Sequence, residues 1–262
     1  MANSPSGESV ISRVVRILES FDRQRSQLSQ SALARRADLP LSTAQRLTVD
    51  LVKAGLLERT PSGDLRPGLR LWELALRSSR ALSLREIALP FMTDVLTAVK
   101  QHTTLAVLDG GTVLYVERMS ASESGLDQAH IAQRMPIHAC SSGIALMAHQ
   151  PPDVQETFLA GPLAALTPFT PTDAAALRRL FAEVRSRGFV APAGIGVTTW
   201  TGIAVPVWGP TGVIAALNAI VPTEGSDVSR IVPALVTAAH GIGRVLRDEI
   251  GDSALSTSLL LG

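Results

Sequence analysis

The 262-residue chain has one cysteine, Cys140. A single thiol excludes an internal disulfide and fits a reducing compartment. Long apolar runs are also missing. The longest, 213–221, reaches about half of a membrane span, and the opening MANSPSGESV has no apolar run of the kind a secretory signal needs. Neither charge sign dominates: 24 Lys and Arg against 23 Asp and Glu leave +1, so the total names no partner. Ligand-like histidine spacing is absent as well, with His102, His130, His138, His149 and His240 scattered. Residues 194–196 make only a lone Gly-x-Gly, without the strand and helix of a phosphate cradle. No internal repeat or low-complexity tract stands out. What is present suits a globular protein: 46% apolar residues supply real cores, and 18% charged residues are too few for a disordered chain. The expectation is a cytoplasmic protein of one or two domains, with no membrane contact, metal or cofactor.

The charge is unevenly placed. Residues 1–80 hold thirteen Lys and Arg against eight acids, and the remainder holds eleven against fifteen. Contact with nucleic acid therefore belongs to the front third. There, residues 41–54 have helical periodicity, with Ala44, Leu47, Leu51 and Ala54 on one side. Ser42, Arg46, Val49 and Lys53 face the other way, flanked by Thr43 and Gln45. Arg forks onto guanine, Gln onto adenine, and hydroxyls reach phosphates or bases. A shorter helix over 29–37, opened by a Ser cap, precedes it, and Pro40 separates the two. Gly55 closes the second helix, and strands at 56–59 and 65–66 around 61–64 form a wing. An earlier helix repeats Val10, Val14, Ile17, Leu18 and Phe21 inward, which puts Arg13 and Arg16 on its exposed side, facing phosphates or simply solvent. Arg35, Arg36, Arg46, Arg59 and Arg66 reinforce the reading of a winged helix-turn-helix, although a merely packed helix pair has the same periodicity.

An apolar-rich helix over 69–79 reads as a connector, covered by its own domain or by a partner chain. A capping box at Ser83 and Glu86 opens a helix to about residue 102, with Pro90 as a kink. Hairpins are expected at 104–108 with 113–117 and at 203–208 with 213–220, a mobile loop at 119–133, and a strand at 136–140. Further helices are expected at 144–149, after 170 with Thr170 as cap, and at 229–247. The whole is α+β: an N-terminal winged helix-turn-helix and a C-terminal antiparallel-sheet domain. His138 and Cys140 would share a face of the strand, but they lack a third orienting group, which favours a core or pocket-lining role over a catalytic one. Ser141-Ser142-Gly143 at a helix start either holds an anion or carbonyl or is an ordinary cap.

Several motifs then occur in a telling order. They are Arg13-x-x-Arg16-Ile17-Leu18, Leu39-Pro40-x-Ser42-Thr43-x-x-Arg46-Leu47, Gly55-Leu56-Leu57 and Gly68-Leu69-x-Leu71-x-x-Leu74. Behind them come Pro136-x-His138-Ala139-x-x-Ser142-Gly143-x-Ala145-Leu146, Gly188-Phe189, 203–207 as IAVPV, and Ala216-Leu217-Asn218. In this order they resemble the IclR-type bacterial transcriptional regulators over about residues 9–247. The resemblance implies domains at 1–66 (winged helix-turn-helix), 67–81 (linker helix) and 82–250 (GAF-like effector domain), with a tail at 251–262. It implies a homodimer or dimer of dimers on a palindromic double-stranded operator, Ser42, Thr43, Gln45 and Arg46 in the groove, and Arg13, Arg59 and Arg66 toward the backbone. It implies a small-molecule effector among Met135, Cys140, Ser141, Ser142, Gly143 and Asn218. The chain departs from the family pattern at Ile144, Ile195, Thr199 and Ile220, where relatives usually carry Lys, Glu, Gly and a small hydroxyl. The pocket should therefore be more apolar than usual, with Trp200 as a stacking ring beside Thr198, Thr199 and Thr201, and should suit an aromatic or hydrophobic carboxylate or ketone. Two rivals stay open: a DNA-binding or assembly protein that takes no ligand, and a thiol or serine enzyme using Cys140 or Ser142.

Overall fold

The computed structural model describes residues 8–22, 24–77, 80–121 and 130–252, so the expected arm at 1–7 and most of the tail lie outside the described residues. The chain forms two compact units, 1–79 and 80–262.

In the first unit, α1 (Val10–Glu19) starts where Ser9 Oγ accepts from the Ser12 amide at 3.0 Å. Helix α2 (Gln30–Arg36) is capped by Ser29, and α3 (Leu41–Lys53) follows Pro40. Proline suits that place because its absent N–H would have had no helical acceptor. Gly55, at φ +74°, supplies the left-handed turn after α3. Strands β1 (Leu57–Arg59) and β2 (Leu65–Pro67) pair antiparallel as the wing. Ile17, Leu33, Leu47, Leu57 and Leu65 are buried together, each contributing about 1.5–3 kcal/mol by leaving water. Two expected core residues are not there: Ala54 ends α3 exposed, and Val10 begins α1 exposed. At helix ends, no neighbouring turn covers the side chain. Helix α4 (Leu69–Leu76) has no buried residue, and Trp72 is 64% exposed.

The second unit begins with α5 (Arg80–Val99), which runs through both Ser83 and Pro90, so Ser83 is inside the helix and does not cap it. Its sheet is antiparallel in the order β5-β4-β3-β7-β6. The strands are β3 (His102–Asp109), β4 (Thr112–Ser120), β5 (Arg134–Met135), β6 (Trp200–Trp208) and β7 (Val213–Pro222). Helices α5 and α9 (Val228–Asp252) cover one face, with Met92, Leu235 and Ile242 against Ile203 and Leu217. On the other face lie α6 (Ser141–Met147) and α8 (Ala174–Arg187), through Ile144, Leu177 and Phe181.

Three local expectations are corrected. Residues 136–140 are not a strand: Pro136 leads into a 3-10 turn at Ile137–Ala139, closed by the Ala139 amide on the Pro136 carbonyl at 3.1 Å. Thr170 does not cap α8. Asp173 does, accepting from Ala176 N at 2.8 Å, while the buried Thr170 hydroxyl donates to Ile195 O at 2.6 Å. The loop expected at 119–133 is shortened by β4, which extends to Ser120, and residues 122–129 lie outside the described ones. Helix α7 (Pro152–Leu159) is an addition that the paired prolines open rather than prevent.

Candidate functional site

Helix α3 presents Ser42, Gln45, Arg46, Val49 and Lys53 to solvent, with Thr43 partly covered. Thr48, on the buried side, donates to Gln30 Oε1 at 3.0 Å and ties α3 to α2. Among the described residues Arg46 has no ion-pair or hydrogen-bond partner, so its five donors face water. The wing arginines are engaged locally: Arg66 Nε donates to Glu58 Oε1 at 2.7 Å, and Arg59 Nη1 to Gly63 O at 3.1 Å. Both remain exposed. Arg13 is the correction on this surface. It is 9% exposed, donating to Glu8 O at 2.8 Å, with the Glu8 carboxylate between it and Arg16. Residue 8, just ahead of the helix, folds back and covers the guanidinium.

In the second unit a cleft lies between the sheet and α6. Tyr115, Met135, Ala139, Cys140 and Ser141 line it. So do residues 195–197, with Trp200 and Gly202 of β6 and Asn218 and Ile220 of β7. It encloses about 440 Å³ of space between atoms, part of it open to solvent. Ser141 Oγ donates to Asn218 Oδ1 at 3.3 Å, and Asn218 Nδ2 donates to Thr104 Oγ1 at 3.3 Å. A Cβ on Gly202 would come within 2.2 Å of Ser141 Oγ, so a larger residue here would have to push the Ser141 side chain aside. Burial pushes the Cys140 thiol up to about 11, and burial next to Cys140 raises the Tyr115 phenol well above its ordinary value. Both are therefore neutral hydrogen-bonding groups at neutral pH, and the lining contains no charged side chain.

Five of the seven expected pocket residues meet here: Met135, Cys140, Ser141, Trp200 and Asn218. Ser142 and Gly143 do not line it. Ser142 is fully buried, and its Oγ has no hydrogen-bond partner among the described residues. A Cβ on Gly143 would fall 2.3 Å from Ile137 O, because the helix there packs on the 3-10 turn. His138 and Cys140 do not form a dyad: His138 Nε2 donates to Ala164 O at 2.8 Å, and Cys140 Sγ lies 3.6 Å from Pro136 O. Tyr115, Val197 and Gly202 escaped the sequence reading. A glycine inside an apolar strand was the available signal for Gly202; Tyr115 and Val197 had none.

Residues 10–61 match the profile of the IclR helix-turn-helix domain, and residues 77–244 that of the bacterial transcriptional regulator IclR C-terminal domain. The chain belongs to the IclR family. The IclR-family fold is matched by the crystal structure of an IclR homologue complexed with 4-hydroxybenzoate from Microbacterium hydrocarbonoxydans. That protein is 46% identical, with a TM-score of 0.86 over 92% of this chain and 100% of the other. The HTH-type transcriptional regulator XynR of Escherichia coli K12 is 27% identical over 220 residues, 83% of this chain and 87% of XynR. The Pca operon regulatory protein of Acinetobacter baylyi is 27% identical over 248 residues, 90% of this chain and 88% of that protein. These IclR-family matches are regulators, and the chain is a transcriptional regulator with a DNA-binding helix-turn-helix, not an enzyme.

Proposed function

We propose that this regulator acts in the cytoplasm as a dimer or pair of dimers on a palindromic operator, and that a small aromatic carboxylate sets its operator affinity. The observation that carries the effector class is the uncharged cleft in the second unit. Trp200, Ile195 and Ile220 offer apolar faces to a ring, while Ser141, Asn218, Tyr115 and Cys140 offer a few polar contacts. The 46%-identical homologue complexed with 4-hydroxybenzoate supports the same class. Ser42, Thr43, Gln45 and Arg46 read the groove, with Arg59 and Arg66 on phosphates. Arg13 reaches a phosphate only by giving up Glu8. The exposed apolar residues of α4, Leu69 at 75% and Trp72 at 64%, support a partner protomer covering that helix.

The effector binds one arrangement of the paired protomers better than another. Its preference shifts the spacing of the two recognition helices against half-sites about one or more turns apart. The test is a melting curve and an operator gel shift, each with and without 4-hydroxybenzoate. The expected result is a rise in melting temperature at saturating ligand and a changed operator affinity. No change in either across a panel of aromatic acids refutes the reading and favours a DNA-binding protein that takes no ligand.

A further inference from the structure

Helix α3 carries its exposed chemistry on the line opposite its buried side chains, which are Ala44, Leu47, Thr48 and Leu51. At about 100° per residue, Ser42, Arg46, Val49 and Lys53 all fall within about 30° of that line. Three of the four are polar or charged, and the fourth is a valine. Val49 is 39% exposed and stands outside the core of this unit, against which Val52 of the same helix packs. A single exposed apolar residue is ordinary on a protein surface, so what matters is the place of Val49. Leu41, the other large apolar side chain that α3 exposes, at 54%, lies about 110° round from the same line.

Two lengths decide what Val49 meets. From Ser42 to Val49 the helix rises about 10.5 Å, inside the roughly 12 Å width of the major groove. Lys53, about 17 Å beyond Ser42 on the same line, falls past the bases at the sugar-phosphate rim. Gln45 and Arg46, four and three residues before Val49, are its neighbours on the helix surface, with Cβ atoms about 5–6 Å away. Bases follow one another about 3.4 Å apart along each strand. Val49 therefore lies over a base pair one or two steps from the one that Arg46 reads.

Of the features that base edges present in the major groove, only the 5-methyl group of thymine is apolar. A donor or acceptor edge pressed against the valine methyls would lose its water and gain no partner, which is unfavourable. A thymine methyl leaves water for an apolar surface, which is favourable. Valine is also a stiff choice. In a helix its β-branched side chain keeps one dominant χ1 rotamer, so little side-chain freedom is lost on docking.

We infer that Val49 reads a thymine methyl in each operator half-site, one or two base pairs from the base that Arg46 contacts. This rests on the reading of the α3 face as groove-facing and adds to it a residue, a base and a position. Arg46 and Gln45 supply directed bonds, and Val49 rejects cytosine, which lacks the methyl group.

The probe for the test is the duplex that the full-length wild-type protein selects from a random-sequence library. Each thymine of that duplex is replaced in turn by deoxyuridine, which removes the methyl and leaves the pairing edge unchanged. Gel shifts compare wild type, Val49→Ser and Val49→Thr, the last keeping one methyl and the β-branch. Serine and valine have similar helix propensities, so the exposed substitution leaves the fold intact, and melting curves check it. For wild type, one position per half-site should weaken binding by about fourfold, one buried methyl's worth, and by about 15-fold with both half-sites substituted. Val49→Ser should bind the thymine and deoxyuridine duplexes within about twofold of each other, closing a double-mutant cycle, while Val49→Thr retains the sensitivity. A wild-type protein insensitive to every deoxyuridine, or a deoxyuridine effect that persists in Val49→Ser, overturns the role of Val49 while leaving the groove reading intact. A selection that enriches no duplex overturns the groove reading, and this inference with it.

Discussion

Replacing Gly202 with alanine adds one methyl group at the most crowded point of the cleft wall. That carbon would sit 2.2 Å from Ser141 Oγ, 3.3 Å from Ser141 Cβ and 3.4 Å from Asn218 Oδ1. Ser141 Oγ has one escape, rotation about χ1, which gives up its bond to Asn218. Losing that bond in a buried setting costs about 0.5–1.5 kcal/mol. The remaining tight contact at Cβ adds an overpacking cost of about 1 kcal/mol, the low end for an inserted methylene. A total near 1.5–2.5 kcal/mol lowers the melting temperature of a unit this size by roughly 3–10 °C. The same change displaces two of the polar groups facing the ligand. Affinity for 4-hydroxybenzoate should therefore fall by about tenfold or more, one directed contact's worth, while operator binding without ligand is preserved. Differential scanning calorimetry, isothermal titration and gel shifts read the three outcomes. A variant that melts within a degree of wild type and binds the acid equally well would show that the ligand does not occupy this cleft.

Arg46→Ala should weaken operator binding by about 1–3 kcal/mol and relax specificity at one base pair; unchanged gel-shift affinity on operator variants removes Arg46 from the groove. Ser142→Ala deletes a buried hydroxyl with no partner, so its stability should stay within about 1 kcal/mol of wild type or rise. A larger loss in a denaturant titration would mean the hydroxyl is satisfied in solution. Cys140 should react slowly with a disulfide reagent at pH 8, at a rate that keeps climbing toward a thiol value of about 11. Because the folded thiol holds its proton longer than the unfolded one, its contribution to stability is present at neutral pH. It fades as the pH rises from the unfolded value toward 11. A reaction rate that plateaus near pH 8 contradicts the buried, neutral thiol.

The amino-acid sequence determined the features that depend on neighbours a few residues apart. The 3.6-residue spacing of Ala44, Leu47 and Leu51 set the buried side of α3 and left Ser42, Gln45 and Arg46 outside. Ser29 and Gly55 marked helix ends because capping and left-handed turns are local chemistry. Both long hairpins followed from alternation and their Gly-containing turns. Tertiary structure decided what depends on distant partners. Glu8 folds back to cover Arg13, and the 3-10 turn after Pro136 separates His138 from Cys140. Ser142 turns inward while Ser141 meets Asn218, 77 residues away. The bulge at Val116 shows the reason most plainly: one extra residue against β3 reverses every later side chain, and local alternation cannot register an insertion that only the partner strand defines.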